Sequence, residues 1–164
     1  MPVAGLIAWA IIGVAGVLLS PAAQVMVLWI ATGSIFYLGA FFSRFTGENF
    51  LARKRPKNVF DRLFLHTVVM SLLVYAIAVP FFRADYTSVP LSVGILSGLM
   101  WVPFGWIIQH WIGIFHGVAR TVLLTASWYL FPEARFVVLP AVIVILYAVT
   151  IIVLEMRWRG IHRA

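Results

Sequence analysis

The sequence predicts an all-α fold, a polytopic transmembrane bundle of about six helices with both termini on the cytoplasmic side. Three observations predict it: an apolar composition, apolar runs of spanning length separated by short polar turns, and basic residues gathered in two places. The chain is 63% hydrophobic and 10% charged, whereas a soluble domain gives about a quarter of its residues to charge. A soluble domain of this size still exposes roughly a third of its unfolded surface. A chain of 164 residues cannot bury so much apolar side chain in one core, and lipid is the solvent that takes the remainder. The mean hydropathy of +1.05 agrees.

A helix rises 1.5 Å per residue and needs about 20 apolar residues to cross roughly 30 Å of hydrocarbon. The first span is read at 3–19 and ends at Ser20-Pro21. It has no basic segment before it, so it is a retained helix instead of a cleaved signal. The second span, 22–42, must form a tight hairpin with the first. The polar loop 43–62 follows, with the run Arg53-Lys54-Arg55-Pro56-Lys57. The third span covers 63–82 and is interrupted near its end by Pro80.

The stretch from Pro90 to Phe131 is apolar without a conventional loop. As one helix it would be about 63 Å long, twice the membrane thickness, so it must turn back. Gln109 to Gly113 is the expected turn, giving spans at 89–108 and 113–131. Pro103 and Gly105 predict a kink or a half-helix within Trp101–Gly113. Pro132-Glu133-Ala134-Arg135 makes a compact turn before the last span, 136–156, and the basic tail 157–164 ends the chain.

Charge orients the bundle. Nine of the twelve basic residues lie in Arg44–Arg62 and Arg157–Arg163, and six spans put both segments on one side, the cytoplasmic side by the positive-inside rule. These clusters flank apolar runs and so indicate membrane surface, with anionic headgroups against Arg53, Lys54, Arg55 and Lys57. Nucleic acid is not an expected partner. With no cysteine in the chain, thiol catalysis and thiolate metal sites are excluded.

Inside a bilayer an ionisable side chain faces the bundle interior, a cavity or a partner. Arg120 is therefore the most informative residue. Gln109, Gly113, His116 and Arg120 fall along one helical face, and antiparallel neighbours carry His66 and Glu155 to similar depth. Glu155 is the expected counter-charge of Arg120. His110 and Asn58 complete the rim of a polar pocket. The same residues read equally as an interhelical ion pair and hydrogen-bonded core histidines. His110 and His116 are six apart and face different ways, unlike a metal-binding i, i+4 pair. No metal or cofactor is expected, and no serine or aspartate stands where a catalytic nucleophile needs to be. The pairs Gly94/Gly98 and Gly113/Gly117 permit close helix approach, including that of a homo-oligomer.

The segment Thr32-Gly33-Ser34-Ile35-Phe36-Tyr37-Leu38-Gly39, with Ser43 and Gly47 beyond it, and the segment Trp101-Val102-Pro103-Phe104-Gly105-Trp106-Ile107 resemble a family of small, uncharacterised bacterial multi-span proteins. The resemblance implies a multi-pass protein of the bacterial inner membrane and supplies no activity.

The functional expectation is a membrane protein that binds or translocates a small solute, ion or lipid headgroup through a cytoplasm-facing pocket around Arg120. An accessory or structural membrane protein without a ligand site is the alternative. A membrane-embedded lipid-modifying enzyme is a third reading.

Overall fold

The computed structural model describes residues 2–45, 66, 69, 70 and 73–161, and among these the ordered elements are all helical. Among the described residues seven α-helices have complete bounds: α1 (Pro2–Leu18), α2 (Pro21–Phe45), α3 (Tyr75–Ala84), α4 (Val89–Leu99), α5 (Trp101–Ile107), α6 (Ile112–Leu130) and α7 (Arg135–Ile161). Short 3-10 turns, Tyr86–Ser88 and Pro132–Ala134, lead into α4 and α7. The basic run from Arg53 to Lys57, with Asn58 and Asp61, lies outside the described residues.

The hairpin of α1 and α2 turns at Leu19-Ser20, and Pro21 opens α2, where a missing N–H costs nothing. The Gln24 amide spans this turn, donating to the carbonyls of Gly16 at 3.0 Å and Leu19 at 2.9 Å. It thereby satisfies acceptors that a helix end leaves open. Helix α1 buries Ala4, Gly5, Ala8, Trp9, Ile12 and Ala15, a single face at three- and four-residue spacing. That face lies chiefly against α7, with α2 alongside.

Pro140 sits inside α7 and has no N–H to give the carbonyl of Phe136. A side chain on Gly16 would meet that same carbonyl. The glycine thus lets α1 close over an acceptor that the helix itself cannot satisfy.

The expected interruption in the fourth span falls at Met100, between α4 and α5. Its cause is Pro103, which cannot donate to Leu99 and whose ring crowds that carbonyl. The chain then turns back at Ile108–Trp111, with Gln109 at φ 50°. Around this turn, residues equidistant from its centre face one another. A Cβ on Gly105 would lie 2.8 Å from the Gly113 Cα, so the backbones of α5 and α6 touch. Farther out, Gly98 meets the Arg120 stem and Gly94 meets Leu124. These glycines are used inside the chain, which removes them as the oligomer surface expected from the sequence. Gly33 on α2 is exposed, with nothing near its missing Cβ.

The last helix is longer than expected. It runs to Ile161, so Arg157 and Arg159, read from the sequence as tail residues, are helical. The Arg157 guanidinium donates to the Ile108 carbonyl at 2.7 Å, tying the end of α7 to the α5–α6 turn. At the opposite end, Arg135 binds Asp85 and Thr87. Arg135 and Arg157 are 22 residues apart on α7, about 33 Å along its axis. Between these rims the outer faces of the helices carry exposed apolar side chains, among them Ile114, Val118 and Val122 on α6 and Ile145, Val149 and Ile152 on α7. Two segments, Tyr86–Ile107 and Pro132–Ile161, are long and apolar enough to cross a membrane.

Candidate functional site

Helix α6 presents His116 and Arg120, one turn apart, on the face that also buries Gly113, Gly117 and Leu124. Both side chains are wholly buried, at 0% exposure. The Arg120 stem passes Gly98, where an added Cβ would stand 2.7 Å from Cδ and 3.2 Å from Nε. Only a glycine leaves room for it.

Two hydrogen-bond chains leave the guanidinium. In the first, Nη2 donates to Ser97 Oγ at 2.7 Å, and Ser97 donates in turn to the Val93 carbonyl at 2.8 Å. The second runs through His116. Thr150 Oγ1 donates its one hydrogen to the Leu146 carbonyl at 2.7 Å, so it can only accept from His116 Nδ1, 2.8 Å away. Nδ1 therefore carries the proton, and Nε2 offers a lone pair to Arg120 Nη1 at a long 3.5 Å. Both chains end on main-chain carbonyls of neighbouring helices. Helices α4, α6 and α7 are joined through one cation.

Aromatic rings complete the enclosure. The guanidinium carbon lies 5.2 Å from the Trp9 ring centre and 5.4 Å from that of Tyr147, within cation–π range. Trp101 stacks on His116 at 4.4 Å between ring centres and meets Tyr147 edge-on at 5.9 Å. Arg120 Nε and Trp9 Nε1 are buried without a hydrogen-bond partner. The electrostatic result is a cation solvated by hydroxyls, an imidazole and π faces, with no carboxylate in an ion pair with it among the described residues.

The absence of that carboxylate corrects the expected Arg120–Glu155 ion pair. Glu155 is exposed and accepts from Arg159, one turn on along α7, at 2.8 Å. At the basic end of a 27-residue helix, its side chain finds a local partner at i+4 before it can reach inward. The other expected members of the pocket are also apart from Arg120. His66 is helical and exposed. Gln109 is exposed in the turn, where its amide donates to the Trp106 carbonyl at 2.6 Å. His110 accepts the Ile112 N–H through Nδ1 at 3.2 Å and so caps the start of α6. Arg120 is wholly buried, so no open pocket reaches it among the described residues; a pocket of about 400 Å³ lies elsewhere, lined by Pro21, Ala22, Val25, Phe82 and Tyr86. No group of three metal-ligating side chains occurs among the described residues.

Ser97 and Thr150 are the hydrogen-bonding members of the centre that sequence reasoning missed, as it missed Trp101 and Tyr147 among its rings. Ser97 had a usable signal, since a turn near Gln109 puts it opposite Arg120. Thr150 had none at the level of spacing.

A second polar cluster stands at the far rim. Arg135 stacks on Trp128 at 3.7 Å and donates through Nε to the Trp128 carbonyl at 3.1 Å. Its Nη1 reaches Asp85 at 3.2 Å. Asp85 also accepts from the Thr87 N–H and hydroxyl, at 2.8 and 2.7 Å. Burial pushes the Asp85 carboxyl up, but Thr87 and the Arg135 charge together outweigh it and hold the group below its ordinary value.

A family model, described as a family of unknown function, matches residues 1–157. The chain belongs to the DUF7010 family. The match takes in every member of the Arg120 centre, together with Arg135 and Arg157, so the site is part of the region that defines the family. It agrees with the resemblance to an uncharacterised family that the sequence suggests. No curated protein and no solved structure matches the chain.

Proposed function

We propose that this DUF7010 chain is a small multi-span membrane protein that binds or passes a small anion at Arg120. With Arg120 wholly buried, the bundle must open for an anion to reach it. The observation that carries the reading is the wholly buried guanidinium with no carboxylate partner among the described residues. An isolated buried charge costs several kcal/mol even after relaxation. Neutral dipoles reduce that cost, but they leave a net positive centre in an apolar bundle, and a negatively charged ligand is its natural complement.

The membrane setting is supported by distance and surface. Arg135 and Arg157 mark rims about 33 Å apart, close to the thickness of hydrocarbon. Exposed aromatics gather near both: Trp106, Trp111 and Trp158 near Arg157, and Tyr129 and Tyr86 near Arg135. Such rings favour the interfaces of a bilayer. The exposed apolar side chains between the rims are where lipid tails would lie. With the first helix and the last in an even number of crossings, both termini share the basic, cytoplasmic side. A bacterial inner membrane is the proposed location.

The test is anion efflux from proteoliposomes loaded in turn with chloride, phosphate and a small carboxylate. The native chain is expected to release at least one of them faster than Arg120→Met, which keeps the volume and removes the charge. Equal release by both proteins, at the rate of empty liposomes, overturns the reading.

One observation favours a second reading. Arg120 joins three helices through Ser97, His116 and Thr150, as a structural clamp in an accessory membrane protein would. In that case Arg120→Met loses the fold, not the ligand.

A further inference from the structure

We propose that the cleft between the start of α2 and the end of α3 is a binding site for an anionic phospholipid, with an acyl chain in the cleft and the phosphate on Arg83. The inference rests on the membrane setting above and is independent of the anion at Arg120. The cleft has a volume of about 400 Å³ and is lined by Pro21, Ala22, Val25, Phe82 and Tyr86. That volume falls within the roughly 300–1,000 Å³ of small-ligand sites. Its apolar lining gives water few partners.

The sequence makes the gap. Trp29, one turn beyond Val25 on α2, meets Tyr75 of α3 at 5.7 Å between ring centres, and these two large rings hold the helices apart. Toward the rim α2 has only Pro21 and Ala22 to place in the space that remains. Proline suits the first turn of a helix, and alanine carries a single methyl group. The other side of the cleft is firm, since Phe82 packs on the core and Tyr86 stacks on Phe136 of α7 at 6.2 Å. A hydrocarbon chain is the occupant that an apolar slot beside lipid tails would take.

Charge selects the headgroup. Arg83 follows Phe82 in the last turn of α3 and is exposed. No carboxylate forms an ion pair with it among the described residues. Asp85, two residues on, is held by Arg135 and Thr87, and Glu133 belongs to the turn between α6 and α7. The mouth of the slot therefore presents an uncommitted cation. A phosphodiester can take paired N–H donors from a guanidinium, whereas a zwitterionic headgroup brings an ammonium toward the same charge. Tyr86 is 45% exposed at this level, where tyrosine rings favour the membrane interface.

The chain has no cysteine, so one introduced thiol reports on the cleft without background. Ala22→Cys places it in the lining at an exposed position, and Val25→Cys is the second reporter in case the first perturbs folding. Glu133→Cys, exposed in the α6–α7 turn, is the control outside the cleft. The full-length protein in phosphatidylcholine vesicles, with and without phosphatidylglycerol, is treated with N-ethylmaleimide, which is neutral and so is not steered by surface charge.

Phosphatidylglycerol should slow labelling at position 22 by about fivefold, the protection that occupancy gives by mass action, and should leave position 133 unchanged. Arg83→Gln should abolish the slowing. Labelling at 22 and 25 that ignores phosphatidylglycerol, an equal slowing at 133, or a slowing that survives Arg83→Gln overturns the lipid site. A chain that does not insert into the vesicles overturns the membrane setting and the lipid site together, whereas an inserted chain without Arg83-dependent protection removes the lipid site alone.

Discussion

Replacing Arg120 by methionine should leave the protein as stable as before or make it more stable, and this outcome separates a retained functional charge from a structural clamp. The guanidinium is fully buried and unpaired with any described carboxylate. Removing it relieves a desolvation cost of several kcal/mol. Against this stand the loss of two cation–π contacts, about 0.5–2 kcal/mol each, and an orphaned lone pair on His116 Nε2, about 1–3 kcal/mol. Ser97 loses no acceptor, since its hydroxyl still donates to Val93. Methionine fills most of the volume and adapts to irregular space. The net is a change between zero and about 3 kcal/mol in favour of the variant, as found when buried ionic groups give way to apolar ones of similar size. Thermal unfolding in detergent should show an unchanged midpoint or a rise of up to about 10 °C. Arg120→Ala, which leaves a cavity, should lose about 2–5 kcal/mol. A methionine variant that melts more than about 5 °C lower would refute the argument and make Arg120 a clamp.

Three further outcomes follow from the packing and the rims. Gly113→Ala forces a Cβ into the backbone of Gly105 and the Trp101 carbonyl; since backbone cannot step aside, a loss of about 3 kcal/mol is expected, read as a lower unfolding midpoint. His116 should carry its proton on Nδ1 and show a single neutral tautomer by nitrogen NMR; an Nε2–H signal would break the assigned chain to Thr150. Asp85 has a lowered folded pKa, so its clasp with Arg135 stabilises the fold above the ordinary carboxylate value and weakens as pH falls through the folded one. The pair is partly exposed, so Asp85→Asn should cost about 1 kcal/mol or less at neutral pH, and the difference from native should vanish in acid.

Much of the helical plan was legible because apolar run length and proline are strong local signals. Ser20-Pro21, Pro103 and the Gln109 cluster each mark a place where the backbone departs from a helix, and Arg120 was recognisable as a charge with nowhere to go but inward. The partners of Arg120 were harder to read. Glu155 has the right sign and a suitable position in sequence, but the helix continues past it and supplies Arg159 at i+4, a nearer cation than one buried on another helix. Ser97 and Thr150 look like ordinary small polar residues of apolar helices, each of which can satisfy its hydroxyl on its own backbone. Their role depends on the register of two antiparallel crossings, and register follows from the glycine contacts at Gly98, Gly105 and Gly113. The basic ends were visible as a charge pattern, whereas the bond from Arg157 to Ile108 required knowing that α7 continues to Ile161.

The membrane-spanning arrangement on which the functional account depends is tested most directly by two single cysteines, Glu133→Cys beside the Arg135 rim and Gly160→Cys beyond the Arg157 rim. Both positions are exposed, and the native chain contributes no thiol. In intact cells and inverted vesicles, an impermeant thiol reagent should label position 133 only from outside and position 160 only from inside. Labelling of both from the same side, or recovery of the protein in the soluble fraction, would contradict the account.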